Sequence, residues 1–235
     1  MHDLLQKNLN NKPSNGHNNS FNSREKTQKM LMADTVVVLD FETTGLSPDD
    51  GERAIEIGAV KLHNGEVVDR FQALMNPGQR VSAFIEDYTG ISNSMLADAD
   101  TCAEVMHRFA DFIDGHNLVA HNASFDKRFL DAELLRIARS YGGHFSCSLL
   151  AARRIFQQAP NHKLGTLVKY ANIPCSGDFH RALYDSEMTV QLWLVILKTL
   201  RDQYQFNDIP FSLIQQLNKT PKKAVYQWLA RQANG

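Results

Sequence analysis

Three short segments of this chain place acids and histidines at spacings that suit divalent-metal chemistry. They are Asp40-Phe41-Glu42-Thr43-Thr44-Gly45, His121-Asn122-Ala123-Ser124-Phe125-Asp126 and His180-Arg181-Ala182-Leu183-Tyr184-Asp185. In an extended strand, residues two apart point to the same side, so Asp40 and Glu42 project together. Two carboxylates held this close repel unless a positive charge lies between them, and oxygen ligands suit Mg²⁺ or Mn²⁺. Thr-Thr-Gly after the acids reads as a tight turn with amides and a hydroxyl free to meet a ligand. Each segment also has a plainer reading: a solvated strand end, a dipole-stabilising Asp126 beside an N-capping Ser124, or a surface His180 with a helix-face Asp185.

The elements that must position these residues follow from the hydrophobic pattern. Val36-Val37-Val38-Leu39 is a β-branched run ending on Asp40, a buried strand. Ala54 to Leu62 and Val67 to Met75 read as two further strands, joined by a hairpin turn at His63-Asn64-Gly65. Thr101 caps a helix reaching Ile113, with Glu104 completing a capping box. Leu118 to Ala120 is a short strand, residues 124–140 are helical by periodicity, and Phe145 to Ser148 is a last strand. Helices follow at 149–157, 163–171 and 181–204. Thr220-Pro221 reads as an N-cap with Pro at the first helical position, and Val225, Trp228, Leu229 and Gln232 share one face of the helix that follows. Three strands in a meander, then alternating helix and strand, predict an α/β fold with a mixed central sheet flanked by helices.

Composition sets the wider frame. The 235 residues are 43% hydrophobic and 22% charged, with a formal net charge of −1, ordinary for a soluble domain. Near-neutrality argues against an extensive backbone grip on long duplex DNA, but is compatible with holding a few terminal nucleotides through metal ions. The three cysteines, Cys102, Cys147 and Cys175, form no C-x-x-C pair, which argues against a zinc site or a disulfide framework. No apolar run approaches the ~20 residues of a membrane span and the N-terminus lacks a secretory pattern, so the expected location is cytoplasmic. The expected organisation is a disordered polar tail over 1–33, a catalytic domain over 34–205 and a short helical extension over 206–235.

Taken in order, the three segments resemble the three motifs of the DEDDh, or DnaQ-like, 3′–5′ exonuclease family, including polymerase III epsilon-type proofreading enzymes. The resemblance runs from about Val36 to Leu197 and includes Ile55-Glu56-Ile57-Gly58-Ala59-Val60 in the second strand. A tyrosine-bearing sister group places its Tyr four residues before the last Asp, where this chain has Arg181, so His180 marks the histidine class. The resemblance implies a ribonuclease H-like fold. It implies that Asp40, Glu42, Asp126 and Asp185 hold two Mg²⁺ or Mn²⁺ ions and that His180 is the general base. Thr43 would contact the terminal nucleotide, and Asn122 and Phe125 would shape its pocket. Tyr88-Thr89-Gly90-Ile91 stands where many proofreading subunits carry His-Gly-Ile, which puts Thr89 at the position of a substrate-touching His.

These features point to a 3′–5′ exonuclease acting on the 3′ end of single-stranded or frayed DNA, free or bound to a DNA polymerase. RNA 3′-end trimming is the alternative. A reading from another class has the segment Pro210 to Gln232 docking a partner through Trp228 and Leu229.

Overall fold

The computed structural model describes residues 32–177 and 180–233. Strands β1 (Val36–Thr43), β2 (Ala54–His63) and β3 (Glu66–Leu74) form an antiparallel meander. Asn64 and Gly65, at φ 52° and 82°, make the turn between β2 and β3, the left-handed pair that a two-residue hairpin loop requires. Strands β4 (Asn117–Ala120) and β5 (Phe145–Cys147) add in parallel, giving the order β3-β2-β1-β4-β5. The expected mixed sheet flanked by helices is therefore present.

Strand β1 is buried on both faces because its alternate residues feed two separate cores. Val36 and Val38 pack with Val60, Leu62 and the long helix α7 (Ala182–Tyr204), through Trp193, Ile196 and Leu197. Val37, Leu39 and Phe41 pack with Ile57 and Ala59 against α3 (Cys102–Ile113) and α4 (Ser124–Arg136), through Phe109 and Phe129. The period-2 alternation then decides where the acids go. Asp40 and Glu42 continue the Val36–Val38 face, toward α7.

Helix α7 can lie on that face because β2 offers no side chain at Gly58. A Cβ built there would stand 2.1 Å from the Leu183 amide nitrogen. The Ser186 hydroxyl donates to the Gly58 carbonyl at 2.9 Å, which pins the first turn of α7 to the sheet. Gly58→Ala is expected to push this helix end off β2, costing about 1–3 kcal/mol as an overpacking change. Activity should fall more steeply than stability, because Asp185 rides on the displaced turn. Chemical denaturation with a parallel rate measurement checks this, and a fully active, equally stable variant would contradict it.

Other elements depart from the sequence reading. The 124–140 helix stops at Arg136: Ala138 turns left-handed at φ 54° and the Arg139 amide returns to the Leu134 carbonyl at 3.0 Å, a Schellman-type ending without the usual glycine. Ser124 does not cap this helix; Ala123 stands at the N-cap and no side chain bonds there. Thr220 is not an N-cap either, because it closes α8 (Phe211–Lys219) and its hydroxyl donates to the Gln216 carbonyl. A 3-10 turn at Lys222–Ala224 then leads into α9 (Val225–Ala233). Val225 and Leu229 of α9 are wholly buried, with Trp228 packed beside them. The face read as a docking surface thus covers its own core.

Two helices were not expected, α1 (Ala83–Thr89) and α2 (Asn93–Ala97), capped by Ser82 and Ser92. The remaining pair, α5 (Ser148–Ile155) and α6 (Leu164–Tyr170), match the expected helices within two residues. Most of the expected tail lies outside the described residues. Its last two residues do not behave as a tail: Met32 bridges to Pro210, and buried Ala33 accepts the Trp193 indole N–H at 2.7 Å. No described helix is long and apolar enough to cross a membrane.

Candidate active site

The pairing of β1 with β4 ends at Val38 and Val119. Beyond it the chain runs on through Asp40 and Glu42 with one edge open, at the carboxyl ends of two parallel strands, the usual place for a ligand cleft in such sheets. Here lies a cleft of about 460 Å³ lined by Asp40, Glu42, Asp126, His180 and Asp185, with Thr43, Thr89, Asn122 and Phe125 also on its walls. All nine residues singled out from the sequence meet at this one place.

Their arrangement is not uniform. Carboxylate oxygens of Asp40, Glu42 and Asp185 all lie within 4.8 Å of one another. Asp126 stands just outside this trio. It arrives from the first turn of α4 and accepts the free-edge amide of Phe41 at 3.2 Å. Asp185 arrives from the first turn of α7, where its Oδ2 accepts the His180 amide at 2.8 Å while its buried Oδ1 has no partner. His180 is exposed in a left-handed conformation, φ 75°, with its ring 4.1 Å from that of Tyr88.

The electrostatics are those of an anion cluster short of cations. Burial first, then the charges of Asp126, Glu42, Asp185 and Glu56, push the Asp40 carboxyl well above the usual range. Glu42 is pushed up to about 8 by burial and by Asp185, Glu56 and Asp126, with Arg181 opposing. Asp126 is raised to about 7 by burial, against the amides that hold it down. Asp185 is also raised by burial. The nearby cation, Arg181, is committed elsewhere: its guanidinium grips the fully buried Glu56 at 2.9 and 3.2 Å. Glu56 also accepts the Ala182 amide at 3.1 Å and the Gln72 amide group at 2.9 Å.

Glu56 therefore locks the start of α7, and with it Asp185, to β2. The sequence reading quoted Glu56 only within the Ile-Glu-Ile-Gly segment it shares with Gly58 and gave it no role. Also missed were Leu46, Phe84 and Tyr88, which are 80, 70 and 50% exposed and rim the cleft. The Thr-Thr-Gly turn is less open than expected. Thr43 donates to the Gly45 carbonyl at 2.6 Å, and the Thr44 hydroxyl is bonded to Glu52 and the Arg53 amide. Thr89 likewise donates to the Ile85 carbonyl and accepts the Ile91 amide. His121 is drawn inward between Ser148 and the His162 carbonyl, and its pKa falls to about 4, through burial first and then Arg153 and His162.

An orphaned Asp185 oxygen beside two further acidic side chains fits a divalent cation held by hard oxygen ligands. A consequence follows for stability. Glu42 binds a proton more readily folded than unfolded, so without metal the fold binds extra protons between about pH 4.5 and 8. Stability of the metal-free chain should therefore fall as pH rises through that window. Mg²⁺ or Mn²⁺ should displace those protons, so the rise in melting temperature on adding metal should be larger at pH 8 than at pH 6. Thermal scans in chelator and in metal at both pH values check this; an equal rise at both would contradict it.

The chain is similar to known proteins in sequence and in fold. The exonuclease family model (RNase_T) matches residues 37–193. The DNA polymerase III PolC-type protein of Bacillus cereus is 37% identical over 185 residues, and that of Bacillus subtilis 39% over 184. These alignments cover 78% and 77% of this chain but only 13% of either polymerase. Among solved structures, "Exonuclease X in complex with 5′ overhanging duplex DNA" superposes with a TM-score of 0.60 at 24% identity, over 78% of this chain and 99% of that one. The nuclease domain of 3′hExo, a DEDDh family member bound to rAMP, gives 0.61 at 21%, over 70% and 92%. With its three motifs gathered at one cleft of this fold, the chain belongs to the DEDDh, or DnaQ-like, exonuclease family.

Proposed function

We propose that this chain is a 3′–5′ exonuclease that removes nucleotides from the 3′ end of DNA. The observation that carries the reading is the convergence of Asp40, Glu42 and Asp185, with Asp126 alongside, next to an exposed histidine on α7's leading edge. The DNA substrate follows from the similarity to PolC-type DNA polymerases. Because the chain spans about 13% of those proteins, association with a polymerase is part of the proposal, not of the resemblance alone.

Asp40, Glu42, Asp126 and Asp185 would hold two divalent ions, which supply an activated water and charge stabilisation on the leaving 3′ oxygen. His180 takes the proton of the attacking water, a role suited to imidazole near neutral pH. Its exposure leaves the ring free to reach solvent at the cleft mouth. Thr43, Thr89, Asn122 and Phe125 line the terminal nucleotide's pocket; the two threonines serve mainly through backbone and shape, since their hydroxyls are already bonded within the chain.

Digestion of a labelled panel with Mg²⁺ tests the reading: single-stranded DNA, duplex DNA, mismatched ends and RNA, each labelled at the 5′ end. Stepwise shortening of DNA from the 3′ end is expected. Release from the 5′ end, or digestion of RNA alone, would overturn it.

A further inference from the structure

The cleft does not end at the carboxylates. A second cavity, about 650 Å³, opens from them and shares Asp40, Tyr88, His121, His180 and Asp185 with the first. The two arms differ in chemistry. Leu46, Phe84 and Phe125 make the first arm apolar, whereas the second is walled by α6 and contributes Lys163, Thr166 and Lys169. Among the described residues neither lysine side chain forms an ion pair, whereas Arg53, Arg70, Arg181 and Arg201 do. Both lysines are exposed. Six residues of helix space their backbones about 9 Å apart along the axis, which distributes the two charges along the groove.

We infer that this second arm is the path of the nucleic-acid strand, with Lys163 and Lys169 contacting backbone phosphates of nucleotides internal to the one being removed. A polyanion cannot leave a cluster of acids over further acids. A base suits the apolar arm, and successive phosphates suit the arm carrying unpaired ammonium groups. The small net charge of the chain is then compatible with strand binding, because the cations needed are local. This inference rests on the reading of the cleft as a nuclease site.

Binding of labelled oligothymidylates by the full chain tests it, with Ca²⁺, which takes the same oxygen ligands in a looser geometry, across a series of salt concentrations. For Lys163→Gln/Lys169→Gln, affinity for a long strand should fall roughly tenfold at moderate salt, and the slope of log affinity against log salt should shrink by about 1.4, ~0.7 per lost phosphate contact. A dinucleotide, too short to reach α6, should lose much less. Lys198→Gln, more than three helical turns beyond Asp185 on α7, should change nothing. An unchanged slope, an equal loss on the dinucleotide or an equal effect of Lys198→Gln overturns the strand path. Hydrolysis of the same strand in Mg²⁺ is scored separately. A parent that binds with the lysine-dependent slope yet never shortens the strand would leave the path standing and sink the nuclease reading; hydrolysis with an unchanged slope would do the reverse. A parent that binds no strand at any salt overturns both.

Discussion

Replacing Asp40 by Asn is expected to abolish hydrolysis, to below about 10⁻⁴ of the parent rate, while making the metal-free chain more stable. The two effects share one cause. The Asp40 carboxyl is pushed up by burial and by Asp126, Glu42, Asp185 and Glu56, so its charge opposes folding whenever no cation is present. A neutral amide of the same shape removes that repulsion and keeps the packing. A gain of ~1 kcal/mol would raise the melting temperature by about 2–4 °C in a chain of this size. With metal, the same change removes a ligand from a site where charge stabilisation contributes several kcal/mol, each ~1.4 kcal/mol being tenfold in rate. Scanning calorimetry in chelator and rates in Mg²⁺ measure the two halves. An active variant, or one that melts earlier in chelator, would show that Asp40 is an ordinary strand-end acid. Opposite signs for stability and activity are what a site built for function produces.

The second large effect separates the proposed base from the ligands. His180→Ala should lower turnover by roughly 10²–10⁴-fold and leave metal affinity nearly intact, because the bond from residue 180 to Asp185 comes from the backbone amide. Asp185→Ala should lose both. Position 180 is left-handed at φ 75°, a conformation that Asn adopts more readily than Ala. His180→Asn therefore controls for backbone strain: if both variants lose rate equally, the imidazole is what matters. Mn²⁺ titrations of the three variants make the comparison. Metal affinity lost as badly in the His180 variants as in Asp185→Ala would make His180 a ligand, and full activity would remove it from the reaction.

Much of this was legible in the sequence because strand and helix periods are strict. Asp40 and Glu42 lie two apart in a strand, so their shared direction followed from the pattern, whereas the uniformly apolar Val36 to Leu39 did not mark which face that is. Asn64-Gly65 named its own turn, and Thr101 with Glu104 formed the capping box they promised. The failures have local causes. Ala138 adopts a conformation usually left to glycine, so the end of α4 carried no signal. Thr220 can cap either end of a helix, and only the preceding turn of α8 decides. The segment 82–97 folds as two helices of only seven and five residues, too short for helical periodicity to register. At the site, motif residues could be placed together, but Glu56 and Gly58 act through α7, which lies more than a hundred residues away in sequence. Phe84 and Tyr88 came into view only once α1 was folded against the cleft.

The clasp of α7 over β1 and β2 also bears on how the chain acquires its activity during synthesis. Asp40 and Glu42 leave the ribosome long before Asp185, and the Ala33 carbonyl waits for Trp193. At translation speeds of about 5–20 residues per second, the early strands exist for several seconds with an acidic edge and no partner helix. Closure over so long a separation is the slow kind of contact to form. On the proposed four-carboxylate site, a product that stalls before α7 lacks Asp185 and is expected not to cut nucleic acid.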